Sequence, residues 1–217
     1  MNTVRNLIKL GLFFFLHSVF AQVSPPFQEE VNEILSRYSD GKPINPIIFT
    51  GSSTIKMWRT LQELNPNKMI LNHGFGGSQT SDLLIYTKDL ITDFEPTMIF
   101  IYEGDNDLAN NKTVNQIISE TKALIQRIRK KASKTPIYLI SPKPSINRWH
   151  LHLQFEDLNT ALQELTVKEN AIGFIDLWTP MLDEKGVVQG DLFLSDNLHM
   201  NEKGYAIWHR VIWEYLK

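Results

Sequence analysis

Five short, almost entirely apolar runs constrain most strongly what this chain can fold into. They are spread along the sequence, separated by longer mixed segments, and cover residues 46–50, 69–72, 97–102, 136–140 and 171–177. A strand buried on both faces has no polar side, whereas a half-exposed strand alternates apolar and polar residues. The runs therefore predict a parallel sheet with helices packed on both of its faces.

The segments between these runs have helical periodicity. From residue 114 to 128, apolar side chains recur three and four positions apart, and Thr113 precedes them as a candidate N-cap. Similar patterns predict helices at 27–38, 155–165 and 205–215. Strands that alternate with helices predict one doubly wound α/β domain. In such a domain, ligands bind outside the carboxyl ends of the strands, where the strand order reverses.

The first 21 residues have the pattern of a secretory signal. Basic residues precede an apolar run at 10–20, and the small residues Val19 and Ala21 fit the positions that signal peptidase reads. A run of this length is too short for a membrane anchor, which needs roughly 20 apolar residues. We therefore expect cleavage after Ala21, a mature domain at residues 22–217, and a secreted or periplasmic protein.

The composition excludes several classes of function. The chain has no cysteine, so disulfide frameworks, thiolate zinc sites, iron–sulfur clusters and cysteine nucleophiles are ruled out. With 22 basic and 24 acidic residues, its net charge is −2, and no basic stripe for nucleic acid is present. A nucleophile must therefore be Ser, Thr, Lys, a carboxylate, His or Tyr, or a bound water.

Residues that can carry hydrolytic chemistry lie in the turns after the predicted strands. Ser53 follows the first strand, a glycine-rich turn with Gly77 the second, and Asn106 the third. Asp196 and His199 stand three positions apart before the last helix. Each feature alone is typical of an ordinary turn, helix cap or surface pair. Together they supply the nucleophile, base, orienting carboxylate and oxyanion donors that ester hydrolysis requires.

These motifs resemble the four signature blocks of the SGNH, or GDSL-type, hydrolases, in that family's order and spread. The blocks are Gly51-Ser52-Ser53, Asn72-x-Gly-x-Gly-Gly, Gly104-x-Asn106-Asp107 and Asp196-x-x-His199. The nearest branch is the small esterases similar to the catalytic subunits of platelet-activating-factor acetylhydrolase, with Phe49 and Trp58 flanking the first block. The resemblance implies a three-layer α/β/α, flavodoxin-like fold with a five-stranded parallel sheet.

The resemblance also implies a role for each of five residues. Ser53 is expected to be the nucleophile and, through its backbone N–H, part of an oxyanion hole. The Gly77 N–H and the Asn106 side-chain amide are expected to complete that hole. His199 is expected to act as general base and then general acid, oriented by Asp196. No cofactor is expected.

The loop after the fourth predicted strand carries weaker candidates. Arg148 and Trp149 resemble a segment that borders the substrate in this branch. An equal alternative is that Trp149 is buried and only anchors the loop. His150 and His152 stand two positions apart without an acidic third ligand, so no metal site is predicted there.

Two further residues depart from a simple assignment. Glu103 stands where small residues are commoner in the family, and we expect it to narrow or charge the rim of the pocket. His73 lies near the predicted site, but nothing in the sequence gives it a role.

Together, these features predict a secreted serine esterase that removes small acyl groups. Export and the loop that bears Arg148 and Trp149 favour acetylated carbohydrate as the substrate class. A lysophospholipase or a broad arylesterase would suit the same residues. A non-catalytic carbohydrate-binding protein on the same fold is the alternative of another class.

Overall fold

Five parallel strands form one sheet in the computed structural model, which describes residues 24–167 and 170–217. The strands, β1 to β5, are Ile47–Gly51, Ile70–Gly74, Met98–Tyr102, Ile137–Ile140 and Ile172–Ile175. Their order is β2-β1-β3-β4-β5, so the strand order reverses between β1 and β3. The predicted parallel sheet is confirmed, and each predicted apolar run overlaps one strand.

Helices connect the strands throughout the described residues. The α-helices, α1 to α8, are Gln28–Ser36, Ser53–Lys56, Thr80–Ile85, Thr87–Leu90, Asp105–Ala109, Val114–Arg129, His152–Val167 and Glu202–Trp213. Short 3-10 helices lie at Leu61–Leu64, Thr92–Phe94, Trp149–Leu151, Thr179–Met181 and Gly190–Leu192. The predicted cap of α6 is present, because the Thr113 side chain accepts a hydrogen bond from Gln116 N at 3.3 Å.

Side chains alternate across the sheet and build two cores. In β3, Ile99 and Ile101 pack toward α1, α3, α4, α6 and α7, whereas Phe100 and Tyr102 pack toward α2 and α8. In the second core the rings of Phe49 and Phe100 stack with centroids 4.1 Å apart. Helices therefore cover both faces, and the three-layer α/β/α domain is confirmed.

Two predicted boundaries are wrong for local reasons. Helix α1 begins at Gln28 because Phe27 has a φ of 64°, in the left-handed region. Strand β5 ends at Ile175 because the Asp176 side chain accepts hydrogen bonds from Trp178 N and Thr179 N at 2.9 and 3.0 Å, which forms a turn.

The signal predicted at 1–21 lies outside the described residues, so it stays a prediction. Within those residues, no helix combines the length and apolar character that crossing a bilayer requires.

His73 is fully buried at the end of β2, beneath the glycine-rich turn. Its Nδ1 lies 2.6 Å from Leu90 O, and its Nε2 lies 3.0 Å from the Tyr38 hydroxyl. A carbonyl only accepts, so Nδ1 carries the hydrogen and Nε2 accepts from Tyr38. Burial lowers the pKa of His73 from 6.5 to about 4, with Arg37 and Lys42 adding to the shift and the Leu90 bond opposing it. His73 is therefore a neutral core residue near the functional edge.

We predict that this histidine makes the fold less stable in acid. Between about pH 6.5 and pH 4 the unfolded chain binds a proton at His73 that the folded chain does not, so stability falls as pH falls. The shift corresponds to a loss of about 3 kcal/mol over that window. Chemical unfolding at several pH values should show this slope, and His73→Asn should flatten it. An equal slope in the variant would contradict the assignment.

Candidate active site

The predicted nucleophile lies at the point where the strand order reverses. Gly51 ends β1 with a φ of 131°, and a Cβ there would stand 2.0 Å from Tyr102 O. Only glycine lets the end of β1 approach β3 this closely. The chain then turns, and Ser53 becomes the first residue of α2, partly exposed at the carboxyl edge of the sheet.

Ser53, His199 and Asp196 form a continuous chain of hydrogen bonds. His199 Nδ1 lies 2.6 Å from Asp196 Oδ2, and His199 Nε2 lies 3.1 Å from Ser53 Oγ. Because the carboxylate only accepts, Nδ1 of the neutral ring carries the hydrogen and Nε2 is free to accept from the Ser53 hydroxyl. The arrangement can remove a proton from Ser53.

Asp196 is held in the charged form that this arrangement requires. Its Oδ1 accepts from the backbone N–H groups of Leu198 and His199, each at 2.9 Å. Partial burial raises its pKa, but these bonds and the His199 side chain outweigh that effect and lower the pKa to about 2. The carboxylate therefore stays ionised at every pH where an esterase works.

The loop that carries Asp196 and His199 is fastened to the start of α8. Asn201 caps α8 by accepting from Lys203 N and Gly204 N, and its amide donates to Asp191 O and Phe193 O. A Cβ at Gly204 would meet Leu192 O at 2.8 Å, so glycine permits this close packing. Sequence reasoning missed Asn201, although an Asn before a helical pattern is a recognisable N-cap signal.

Two of the predicted oxyanion donors are backbone N–H groups, those of Ser53 and Gly77. Ser53 N heads α2, and Gly77, exposed and with a φ of 78°, lies in the turn between β2 and α3. Neither N–H donates to a protein acceptor within residues 24–167 and 170–217. Unpaired N–H groups at a helix start are the usual donors to a developing negative charge.

Asn106, the third predicted oxyanion donor, lies in the first turn of α5. Its Nδ2 donates to Ser78 O at 2.9 Å, and its Oδ1 accepts from Arg148 Nη2 at 2.9 Å. The segment was expected to be a plain turn, but it forms α5 because Asp107, fully buried, accepts from both Gly104 N and Thr80 N. The structure thus ties Asn106 to the glycine-rich turn.

Glu103 does not lie on the rim of a pocket, so that expectation is wrong. Its side chain is buried behind the glycine-rich turn, where it accepts from Ser78 Oγ at 2.7 Å. Burial, followed by the nearby Asp107 charge, raises the pKa of Glu103 well above its usual value. Glu103 therefore supports Ser78 from the interior of the domain.

The predicted substrate loop is anchored more firmly than the sequence suggested. Arg148 is paired with Asp105 and bonded to Asn106, with 15% of its side chain exposed. Trp149 is half-buried, with its ring stacked near those of His152 and Trp178. Arg148 therefore lies beside Asn106, whereas Trp149 has the anchoring contacts of the alternative.

The two histidines of this loop are not brought together with acidic groups. His152 Nδ1 lies 2.9 Å from Trp149 O, which places it in a local turn. Across the described residues, no group of three or more His, Asp or Glu side chains is arranged to hold a metal ion.

Comparison with known sequences gives two matches. The profile of the GDSL-like Lipase/Acylhydrolase family matches residues 39–207, which include all five predicted site residues. The N-acylneuraminate cytidylyltransferase of Escherichia coli O18:K1:H7 is 26% identical over 197 residues. That match covers 88% of this chain and 45% of the relative, so the chain spans less than half of that protein's length.

Comparison with solved structures gives similar folds. A Streptococcus pneumoniae protein provisionally designated a platelet activating factor has a TM-score of 0.79 at 24% identity, over 88% of this chain and 92% of its own. A GDSL-like lipase from Bacteroides thetaiotaomicron has 0.71 at 16%, over 87% and 96%. An acetyl-xylooligosaccharide esterase from Geobacillus has 0.66 at 14%, over 80% and 94%. At these identities the likeness concerns the fold.

Proposed function

The chain belongs to the GDSL-like lipase/acylhydrolase family and is an ester-hydrolysing enzyme, and on that premise we propose that it removes short acyl groups, chiefly acetyl, from carbohydrates. The observation that carries the proposal is the bond chain from Ser53 Oγ through His199 to Asp196, beside unpaired N–H groups. If Asp196 and His199 formed only a surface ion pair, no hydroxyl group would be required at the second ring nitrogen of His199.

The proposed reaction has two halves. Ser53 Oγ attacks the ester carbonyl carbon as its proton passes to His199 Nε2, and the negative oxygen is bound by the N–H groups of Ser53, Gly77 and Asn106. The carbonyl re-forms, the C–O bond to the alcohol breaks, and His199 gives its proton to the departing oxygen. Water then attacks the acyl carbon as His199 takes its proton, the bond from that carbon to Ser53 Oγ breaks, and His199 returns the proton to Ser53 Oγ as the acid leaves.

The exposure of the site supports a small acyl group on a large carrier. Ser53 is partly exposed, Gly77 is exposed, and the side chains of His199 and Asp196 are 26% and 46% exposed. A reacting oxygen near the surface is within reach of an acyl group on a bulky molecule. Asn147, exposed on the loop that contacts Asp196, carries an amide, which suits a hydroxyl-rich partner.

Two relatives add support for carbohydrate. One is named for a reaction of an N-acylneuraminate, which is itself an acylated sugar, and another is an acetyl-xylooligosaccharide esterase. Neither name transfers an activity to this chain. Both names concern a sugar, although the acyl group of an N-acylneuraminate is an amide, so they support a carbohydrate carrier and not the ester bond itself.

We also propose that the protein is exported. The basic, apolar and small-residue regions of the first 21 residues are the support for this, with cleavage expected after Ala21. An exported enzyme would meet acetylated glycans outside the cytoplasm.

A panel of substrates tests the acyl and carrier preference. We predict that the rate falls about tenfold or more from acetyl to octanoyl p-nitrophenyl esters, because the reacting side chains are partly exposed and a longer chain would stay largely in solvent. Acetylated xylan or O-acetylated sialic acid should be deacetylated faster than a lysophospholipid is cleaved. Initial rates, corrected with Ser53→Ala as the blank, provide the measurement.

One observation favours a lipid substrate instead. Ile146 and Leu194, 39% and 41% exposed, lie on two loops joined by the Asn147 N to Asn197 O bond, and Leu194 N donates to His199 O. These apolar side chains stand beside the predicted base. An octanoyl optimum together with lysophospholipid cleavage would therefore replace deacetylation with the lysophospholipase alternative.

A further inference from the structure

We propose that Arg148 is a positioning residue that fixes the side-chain amide of Asn106 in the orientation an oxyanion donor needs. The inference rests on the oxyanion role proposed above for Asn106. Arg148 Nη2 lies 2.9 Å from Asn106 Oδ1, while Nη1 is bonded to Asp105 Oδ1. A guanidinium has donors only, so the oxygen end of the amide must face Arg148.

The opposite end of the amide then faces Ser78. Asn106 Nδ2 donates one hydrogen to Ser78 O at 2.9 Å. An amide nitrogen carries two hydrogens, and the second reaches no protein acceptor among residues 24–167 and 170–217. That second N–H is left for the oxyanion. If the amide rotated by half a turn, its oxygen would oppose both Ser78 O and the developing negative charge.

Asp105 holds the guanidinium in place. This buried carboxylate accepts from Arg148 Nη1 and from the Tyr102 hydroxyl at 2.9 Å, and it lies 3.7 Å from Lys143 Nζ. Burial raises its pKa, but the charges of Lys143 and Arg148 outweigh that effect and hold the pKa below its usual range. A charged partner shielded from solvent fixes the plane of the Arg148 guanidinium group.

The same carboxylate is linked to the base side of the site. Lys143, which is buried, donates from Nζ to Leu198 O at 2.7 Å, and Leu198 lies between Asp196 and His199. Asp105 thus connects two parts of the site. Through Arg148 it is linked to the proposed oxyanion donor Asn106, and through Lys143 it is linked to the loop that carries the proposed general base His199. The central position of Asp105 explains why Arg148, which lies beside the site, bonds the side-chain amide of Asn106.

A double-mutant cycle with Asn106 tests the proposal. We expect Arg148→Met to lower kcat about 10- to 100-fold, with KM within about twofold of the wild-type value, because a mis-set donor weakens transition-state binding alone. We expect Asn106→Ala to lower kcat about 100- to 1,000-fold. In the Asn106→Ala background, adding Arg148→Met should change kcat less than about threefold, because the donor it orients is already gone.

The outcomes separate the inference from the proposed function. An undiminished effect of Arg148→Met in the Asn106→Ala background would show that Arg148 acts independently of Asn106, and a rise in KM at constant kcat would show that it binds substrate. Either result would overturn the proposal. Wild-type activity in Asn106→Ala itself would remove the oxyanion role and the inference with it. If Asn106→Ala and Arg148→Met each lower kcat and their effects simply multiply in the double variant, the positioning role is wrong but the proposed function stands.

Two further variants guard against a loss of folding. Arg148→Lys keeps a charge beside Asp105 but lacks the planar fork that bonds Asp105 and Asn106 from two separate nitrogens, so it should fold normally and still lose kcat. Arg127→Met makes the same chemical change at an arginine that donates to Leu84 O on the surface, and it should leave kcat unchanged. A wild-type kcat for a folded Arg148→Lys protein would count against positioning.

Discussion

Ser53→Ala is expected to lower the rate of ester hydrolysis about 10⁴- to 10⁶-fold. The substitution removes one oxygen atom, and with it the nucleophile that lies 3.1 Å from His199 Nε2. The Ser53 N–H and the fold should persist, because the side chain is partly exposed and small. Steady-state hydrolysis of p-nitrophenyl acetate, with the thermal unfolding temperature of each protein, provides the measurement.

Ser52→Ala is the matched control, since it deletes the neighbouring hydroxyl. Ser52 is buried, and its backbone N–H donates to Tyr102 O at 3.2 Å, a bond that alanine keeps. We expect this variant to retain most of the activity. If Ser53→Ala hydrolysed the ester at the wild-type rate, the assignment of the nucleophile would be wrong.

His199→Ala should have an effect of similar size, because without the imidazole nothing takes the proton from Ser53. Combining it with Ser53→Ala should cost little more than either change alone, since the two side chains act as one unit. The matched control is His209→Ala on α8, whose ring packs near Trp213 instead of facing the site. Rates of the three variants and the double variant complete the comparison.

The two results distinguish an enzyme from a binding module. If the losses at Ser53 and His199 simply multiplied, the two residues would not act together. If neither change affected any rate but the protein still bound glycan, the non-catalytic alternative would gain its first support.

The sequence predicted the sheet well because of how a parallel sheet is buried. A strand covered on both faces must be apolar at every position, and β1 and β3 show this as continuous runs. Polar residues directly after such runs mark the carboxyl edge, which is why Ser53 and Asn106 could be singled out. Their distances could not be obtained, because they depend on which strands are neighbours.

The ion pairs behind the site could not be predicted. Lys143 and Asp105 are charged residues that follow the ends of strands, and a charged residue is normally exposed to solvent. Both are buried here because they pair across 38 positions of the sequence, at 3.7 Å. One sequence signal pointed to a buried role for Lys143. It stands between two prolines in the loop after β4, which begins at the functional edge of the sheet.

The burial of Glu103 and His73 could not be predicted from the sequence either. Proximity in sequence to Asn106 suggested the pocket rim for Glu103, and nothing in the sequence gave His73 a role, yet both side chains are buried in the interior. Alternation along β2 and β3 decides this, and a single residue at the end of a strand is where the alternation is hardest to read.

Covalent labelling by a fluorophosphonate tests the central claim most directly. The reagent traps a serine that a neighbouring histidine deprotonates, and the modified peptide can be identified by mass spectrometry. We predict one adduct on Ser53 of the wild-type protein, strongly slowed labelling in His199→Ala and none in Ser53→Ala. An adduct on Ser52 or elsewhere, or undiminished labelling of Ser53→Ala, would contradict the account.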